Sequence, residues 1–216
     1  MATPRSIAFA PLLILAALTA CSSAPGDNDQ AQPADTAGAT AAQEPDLPPG
    51  AEEAARRLEE SPRHGEWVMI DAGDDSIRAW VVYPERSTPA PVVLVVHEIY
   101  GLTGWIRGVA DQLAADGFIA IAPDLLTSHD VPTDESGDPV REEATRTIRT
   151  LDPENYQPQL VAIAEWGMAL PAASESYGIV GFCWGGSASF RHTIESSTVD
   201  AAVVYYGSSP DADMLT

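Results

Sequence analysis

The sequence predicts an α/β fold, a mostly parallel central sheet with helices on its faces. Three observations carry that prediction. Short branched apolar runs alternate with longer segments of helical periodicity, as parallel strands joined by crossover helices do. Two of the runs, PVVLVVH at 91–97 and FIAIA at 118–122, show no polar alternation, as expected of strands buried on both faces. Hydrophobic residues make up 45% of the 216 residues, enough for a packed core.

Taken in order, residues 51–60 (AEEAARRLEE) favour a short helix with Glu–Arg pairs at helical spacing. Residues 66–71 (EWVMID) and 77–83 (IRAWVVY) are β-rich and separated by Ala-Gly-Asp-Asp, so they predict an opening hairpin. The strand at 91–97 is followed by a helix at 105–116, with Ile106, Val109, Ala110, Leu113 and Ala114 on one face. Gly117 stops that helix and FIAIA follows, closed by Pro123-Asp124. After a polar loop to about residue 139, helices are expected at 141–151 and 156–170. A strand at 177–181, a helix at 185–196 and a strand at 201–206 complete the pattern. No internal repeat is present. The domain so defined spans 62–216.

What precedes it reads as address and tether. Residues 1–20 have one cation, Arg5, then an apolar run from Ile7 to Leu18 that is too short to span a bilayer. The run ends in Leu18-Thr19-Ala20-Cys21, which resembles the lipobox of bacterial lipoproteins. That resemblance implies cleavage before Cys21 and a lipid on its thiol. Ser22 implies sorting to the outer membrane, so the expected location is the bacterial envelope. Among residues 22–50, Leu47 is the one large apolar side chain. Such a composition cannot offset ordering entropy, so 21–61 is expected to be a disordered tether carrying the short helix.

Charge narrows the function classes. All 11 cations are Arg, against 32 carboxylates, for a net charge of −21. Nucleic-acid binding needs clustered cations, so no such partner is expected, nor a polybasic membrane anchor. Membrane contact is expected through Cys21 alone, and the domain is expected to be a monomer.

The strongest chemical signal is Gly181-Phe182-Cys183-Trp184-Gly185-Gly186, at a strand-to-helix junction. Gly-x-nucleophile-x-Gly puts the nucleophile on a strained turn, with small flanking residues where strand and helix approach closely. Here the nucleophile is Cys183; the following helix N-terminus favours its thiolate, and the Trp184 amide would serve as an oxyanion donor. The chain has two Cys, so lipidation of Cys21 would leave Cys183 without a disulfide partner. The second constellation, His97-Glu98-Ile99-Tyr100-Gly101, ends the third strand, where such folds supply the other oxyanion donor.

These pieces resemble the dienelactone hydrolase family, on the α/β-hydrolase fold. The matching segments are PVVLVVHEIYGL, WIRGVADQLAADGFIAIAPDLL, GIVGFCWGG and AAVVYYG, in order over about 65–207. The resemblance implies that Cys183 is the nucleophile and that Glu98 takes its proton when substrate binds. It also implies that Ile99 and Trp184 form the oxyanion hole. Arg141 falls where the family grips a substrate carboxylate, with Arg146 as the alternative. The implied reaction is hydrolysis of a small lactone or carboxylic ester through an acyl-enzyme, with no metal or organic cofactor. Tyr205-Tyr206-Gly207 matches the strand after the elbow and is read as sheet and pocket wall.

The family's acid and its late His find no counterpart. His192 lies too close behind Cys183, and Asp211 and Asp213 fall too early. The expectation is therefore a chain truncated at its C-terminus, lacking strands and a helix of the usual sheet, with an exposed edge and poor stability alone. Two other readings stay open: a non-catalytic envelope binding protein on a degenerate hydrolase fold, and a thioesterase or general acyl-hydrolase. His97-Glu98 lacks the second His of a zinc-binding HExxH motif, and Gly185-Gly186-Ser187 lacks the Lys of a phosphate loop.

Overall fold

The computed structural model describes residues 48–73 and 75–215. The expected signal, Cys21 and the tether up to residue 47 lie outside the described residues. The chain forms α1 (Ala54–Glu59), β1 (Gly65–Ala72), β2 (Asp75–Val82), β3 (Ala90–Val96), α2 (Gly104–Ala115) and β4 (Ile119–Pro123). It continues with α3 (Arg141–Ile148), α4 (Pro153–Met168), β5 (Ala173–Phe182), α5 (Trp184–Glu195) and β6 (Ala201–Tyr205).

The six strands make one sheet in the order β1-β2-β4-β3-β5-β6. The hairpin pairs antiparallel, β2 meets β4 antiparallel, and all remaining pairs are parallel. This is the expected α/β architecture, with helices on both faces. The unbroken apolar strands explain it. Val92, Leu94 and Val96 pack with Ile119, Ile121, Ile179 and the α4 residues Leu160 and Ile163 on one face. Val95, Ala120, Ala122, Val180 and Phe182 pack with the α2 residues Ile106, Val109 and Ala110 on the other. Strands buried this way cannot slip by one residue without swapping both cores.

Several boundaries differ from expectation: α3 ends at Ile148 rather than 151 and α4 starts at Pro153 rather than 156. β5 starts at Ala173 rather than 177, because the polar Ser174–Ser176 stretch still runs alongside β3 through an irregularity between Ala90 and Val92. The packed chain also begins before residue 62. Pro49 and Ala54 are buried, and a Cβ on Gly108 of α2 would lie 2.7 Å from Pro49 Cγ. Asp111 of α2 holds the next segment by accepting from Ser61 Oγ at 2.6 Å and pairing with Arg63. These anchors involve small or polar residues, which a hydropathy reading assigns to a tether.

At the other end, every residue of β6 is exposed, so the edge strand expected from the sequence is present among the described residues. An open apolar groove of about 610 Å³ runs beside it, lined by Trp105, Val109, Val180, Phe182 and Val203.

Candidate active site

The parallel register places the candidate residues together. Val96 of β3 pairs with Gly181 of β5, so Glu98 and Cys183 each lie two residues beyond a paired position. Phe182 pairs with Tyr205, which brings Tyr206 beside Cys183. Leu94 pairs with Ile121, so Asp124 follows at the same edge. This carboxyl edge of a parallel sheet is where open α/β folds bind ligands.

Cys183 has φ 57° and ψ −117°, outside the ordinary regions for a non-glycine residue. The strain is held by close packing. The Cys183 amide donates to Tyr205 O at 3.0 Å. A Cβ on Gly181 would lie 2.1 Å from Gly185 O, and one on Gly185 would lie 2.3 Å from His97 O. Strand, turn and helix α5 therefore approach closely enough to exclude any larger residue at either glycine. Trp184 is the first residue of α5, so its amide is one of the unpaired donors of a helix N-terminus.

Glu98 is half-buried. Burial pushes its carboxyl above the ordinary range, and the positive charge of Arg141 opposes that rise. Arg141 opens α3, and its guanidinium lies 4.5 Å from the centre of the Tyr100 ring. Glu98, Tyr100, Thr103, Trp105 and Arg141 line a cleft of about 150 Å³. Arg146 instead pairs with Glu142 on the exposed face of α3, at 3.2 Å. Of the two arginines weighed from the sequence, Arg141 is the one beside Glu98.

Like Trp184, Ile99 packs against the cluster of Leu126, Ala144 and Ile148. Its carbonyl accepts from Thr145 Oγ1 at 3.4 Å. The Tyr206 hydroxyl is pushed up by burial and by the charges of Glu98 and Cys183, so it lies within electrostatic reach of both. Its backbone is also unusual, with φ 42°. The sequence reading made Tyr206 a pocket wall; the register of YYG against GFC is the signal that places it at the nucleophile.

His192 is far from this chemistry. Its Nδ1 donates to Gln157 Oε1 at 2.9 Å, and its Nε2 accepts from the Tyr177 hydroxyl at 3.0 Å. Gln157 in turn donates to Ala188 O at 3.0 Å, which fixes this tautomer. The network ties α5 to α4 and β5. Among the described residues no group of three or more His, Cys, Asp or Glu could hold a metal ion.

The model of the dienelactone hydrolase family matches residues 77–216. The chain belongs to the dienelactone hydrolase family. The match takes in β2 onward, including Glu98, Ile99, Arg141, Cys183 and Trp184. The carboxymethylenebutenolidase of Pseudomonas putida is 29% identical over 144 residues, covering 66% of this chain and 61% of its own. Carboxymethylenebutenolidase 1 of Cupriavidus pinatubonensis is 32% identical over 120 residues, 55% of this chain and 51% of its own. The chain thus spans half to three-fifths of these relatives. A dienelactone hydrolase-like promiscuous phosphotriesterase from metagenomic libraries superposes with a TM-score of 0.59 at 22% identity, over 70% of this chain and 63% of its own. At that identity the likeness shows the α/β-hydrolase fold.

Proposed function

We propose that this protein is a cysteine-nucleophile hydrolase of small lactones or carboxylic esters. The observation that carries the reading is Cys183 on its strained turn, in register with Glu98 at the carboxyl edge of the sheet. In the acylation half-reaction, the deprotonated Cys183 Sγ attacks the substrate carbonyl. The Sγ–C bond forms, and the developing oxyanion is met by the Ile99 and Trp184 amides. The acyl C–O bond then breaks, opening a lactone ring or releasing an alcohol. Glu98 receives the thiol proton and returns it to the leaving oxygen as the C–O bond breaks; burial makes its carboxylate a better base than an exposed one. Arg141 supplies a positive charge at the cleft, which an anionic substrate needs on a chain of net charge −21.

The test is acylation by a p-nitrophenyl ester, read by nitrophenolate release and by mapping the acyl group to a peptide. One acyl group on Cys183, absent from Cys183→Ala, is the expected result. Equal labelling of the alanine variant would remove Cys183 from the mechanism.

The same proposal places the protein in the bacterial envelope, lipid-anchored through Cys21, with 1–20 as signal peptide and the domain carried beyond a tether. Metabolic labelling with an alkynyl fatty acid should mark the protein and fail on Cys21→Ser. An unlabelled parent would reject the anchor.

A further inference from the structure

We propose that His97 is a positioning residue that aims the Ile99 amide into the oxyanion hole; this rests on the nucleophile reading above. His97 is fully buried, at 0% exposure, directly behind Glu98. Its Nδ1 lies 2.9 Å from Glu98 O, and a carbonyl can only accept, so Nδ1 carries the proton. The Gly101 amide donates to the same carbonyl at 3.1 Å. Two donors therefore clamp the Glu98 carbonyl.

The peptide joining Glu98 to Ile99 is planar and trans, so its N–H points opposite to its C=O. With the carbonyl drawn toward the buried ring and the Gly101 turn, the Ile99 N–H is turned away from both. Among the described residues that N–H donates to no acceptor. Clamping the carbonyl thus sets the direction of the donor without touching it.

The same ring also meets the side chain of the residue that carries the other donor. His97 stacks on Trp184, with ring centroids 5.9 Å apart and planes 18° from parallel. Its own carbonyl lies against Gly185, at the first turn of α5. Residue 97 therefore touches both segments that carry the oxyanion donors, through its ring at Glu98 and Trp184 and through its backbone at Gly185. Space filling alone does not explain a histidine here. Its Nε2 is buried without a partner, a cost that an apolar residue of similar size would avoid. The Nδ1 donor is what such a residue could not supply.

The experiment compares two reactions of Cys183 in the full chain. Alkylation by iodoacetamide needs the thiolate and no oxyanion hole; acylation by p-nitrophenyl acetate needs both. His97→Leu removes the donor, and His97→Asn keeps a nitrogen at the δ position. His97→Leu should slow acylation about tenfold or more while alkylation stays within about twofold, because only oxyanion stabilisation is lost. His97→Asn should recover most of the acylation rate although the stacking ring is gone. Unchanged acylation in a folded His97→Leu, or equal losses in both reactions, would overturn the proposal. If the leucine variant does not fold, a folded asparagine variant that has lost acylation overturns it equally. A parent chain that alkylates but never acylates rejects the hydrolase reading itself, a result distinct from any of these.

Discussion

Adding a single methyl group at Gly185 tests the elbow geometry most directly. A Cβ there would lie 2.3 Å from His97 O and 2.5 Å from Val96 O, where ordinary contact begins at 3.4 Å. Both neighbours are backbone at the end of β3, which is itself held between β4 and β5. The strand cannot yield, so α5 must retreat by about 1 Å, at the upper end of the 1–3 kcal/mol typical of overpacking. About 3 kcal/mol is roughly two powers of ten in the folding equilibrium. Urea unfolding followed by tryptophan fluorescence reads this as a lowered midpoint. Gly50→Ala is the control, since nothing lies within 4 Å of its added Cβ. The retreat also moves Cys183, so iodoacetamide should react at a changed rate. A Gly185→Ala midpoint equal to that of Gly50→Ala would refute the close-approach reasoning.

Three further outcomes are expected. Burial raises the Glu98 carboxyl, so its ionisation opposes folding; relative to Glu98→Gln, the parent should lose stability as pH rises from the ordinary carboxylate value of 4.5 through the raised one. Melting both proteins across that range checks the sign, and a gap that widens toward acid would contradict it. His192 is lowered by burial against the opposing charge of Glu195, so the stability of the network is present above 6.5 and is lost as pH falls below it. A His192→Gln variant should lack that acid-sensitive component, as denaturation at a series of pH values would show. Arg141→Met should raise the half-saturating concentration of a carboxylate-bearing ester about tenfold and leave a neutral ester nearly unchanged, with Arg146→Met affecting neither.

The legible parts of the fold were those with strong patterns. PVVLVVH and FIAIA announce doubly buried strands because nothing polar interrupts them, and they are β3 and β4. The strained turn at Cys183 was readable because only glycines tolerate the approach on either side. The early start of β5 was hidden by Ser174, Glu175 and Ser176, whose polarity masks their place beside β3. The docking of residues 49–63 was hidden too, because its anchors are a proline, an alanine and an arginine rather than an apolar stripe. Arg141 and Arg146 were indistinguishable by spacing alone, since both belong to one short helix of eight residues.

The sequence by itself determined the α/β class, the elbow and the family, because each depends on local pattern and spacing. Only the tertiary structure decided which arginine faces Glu98, that Tyr206 lies near the nucleophile, and that His97 clamps the carbonyl before Ile99. Those relations depend on the register between β3, β5 and β6 and on how α3 lands above them. Residues far apart in the chain set that register through the two cores they share.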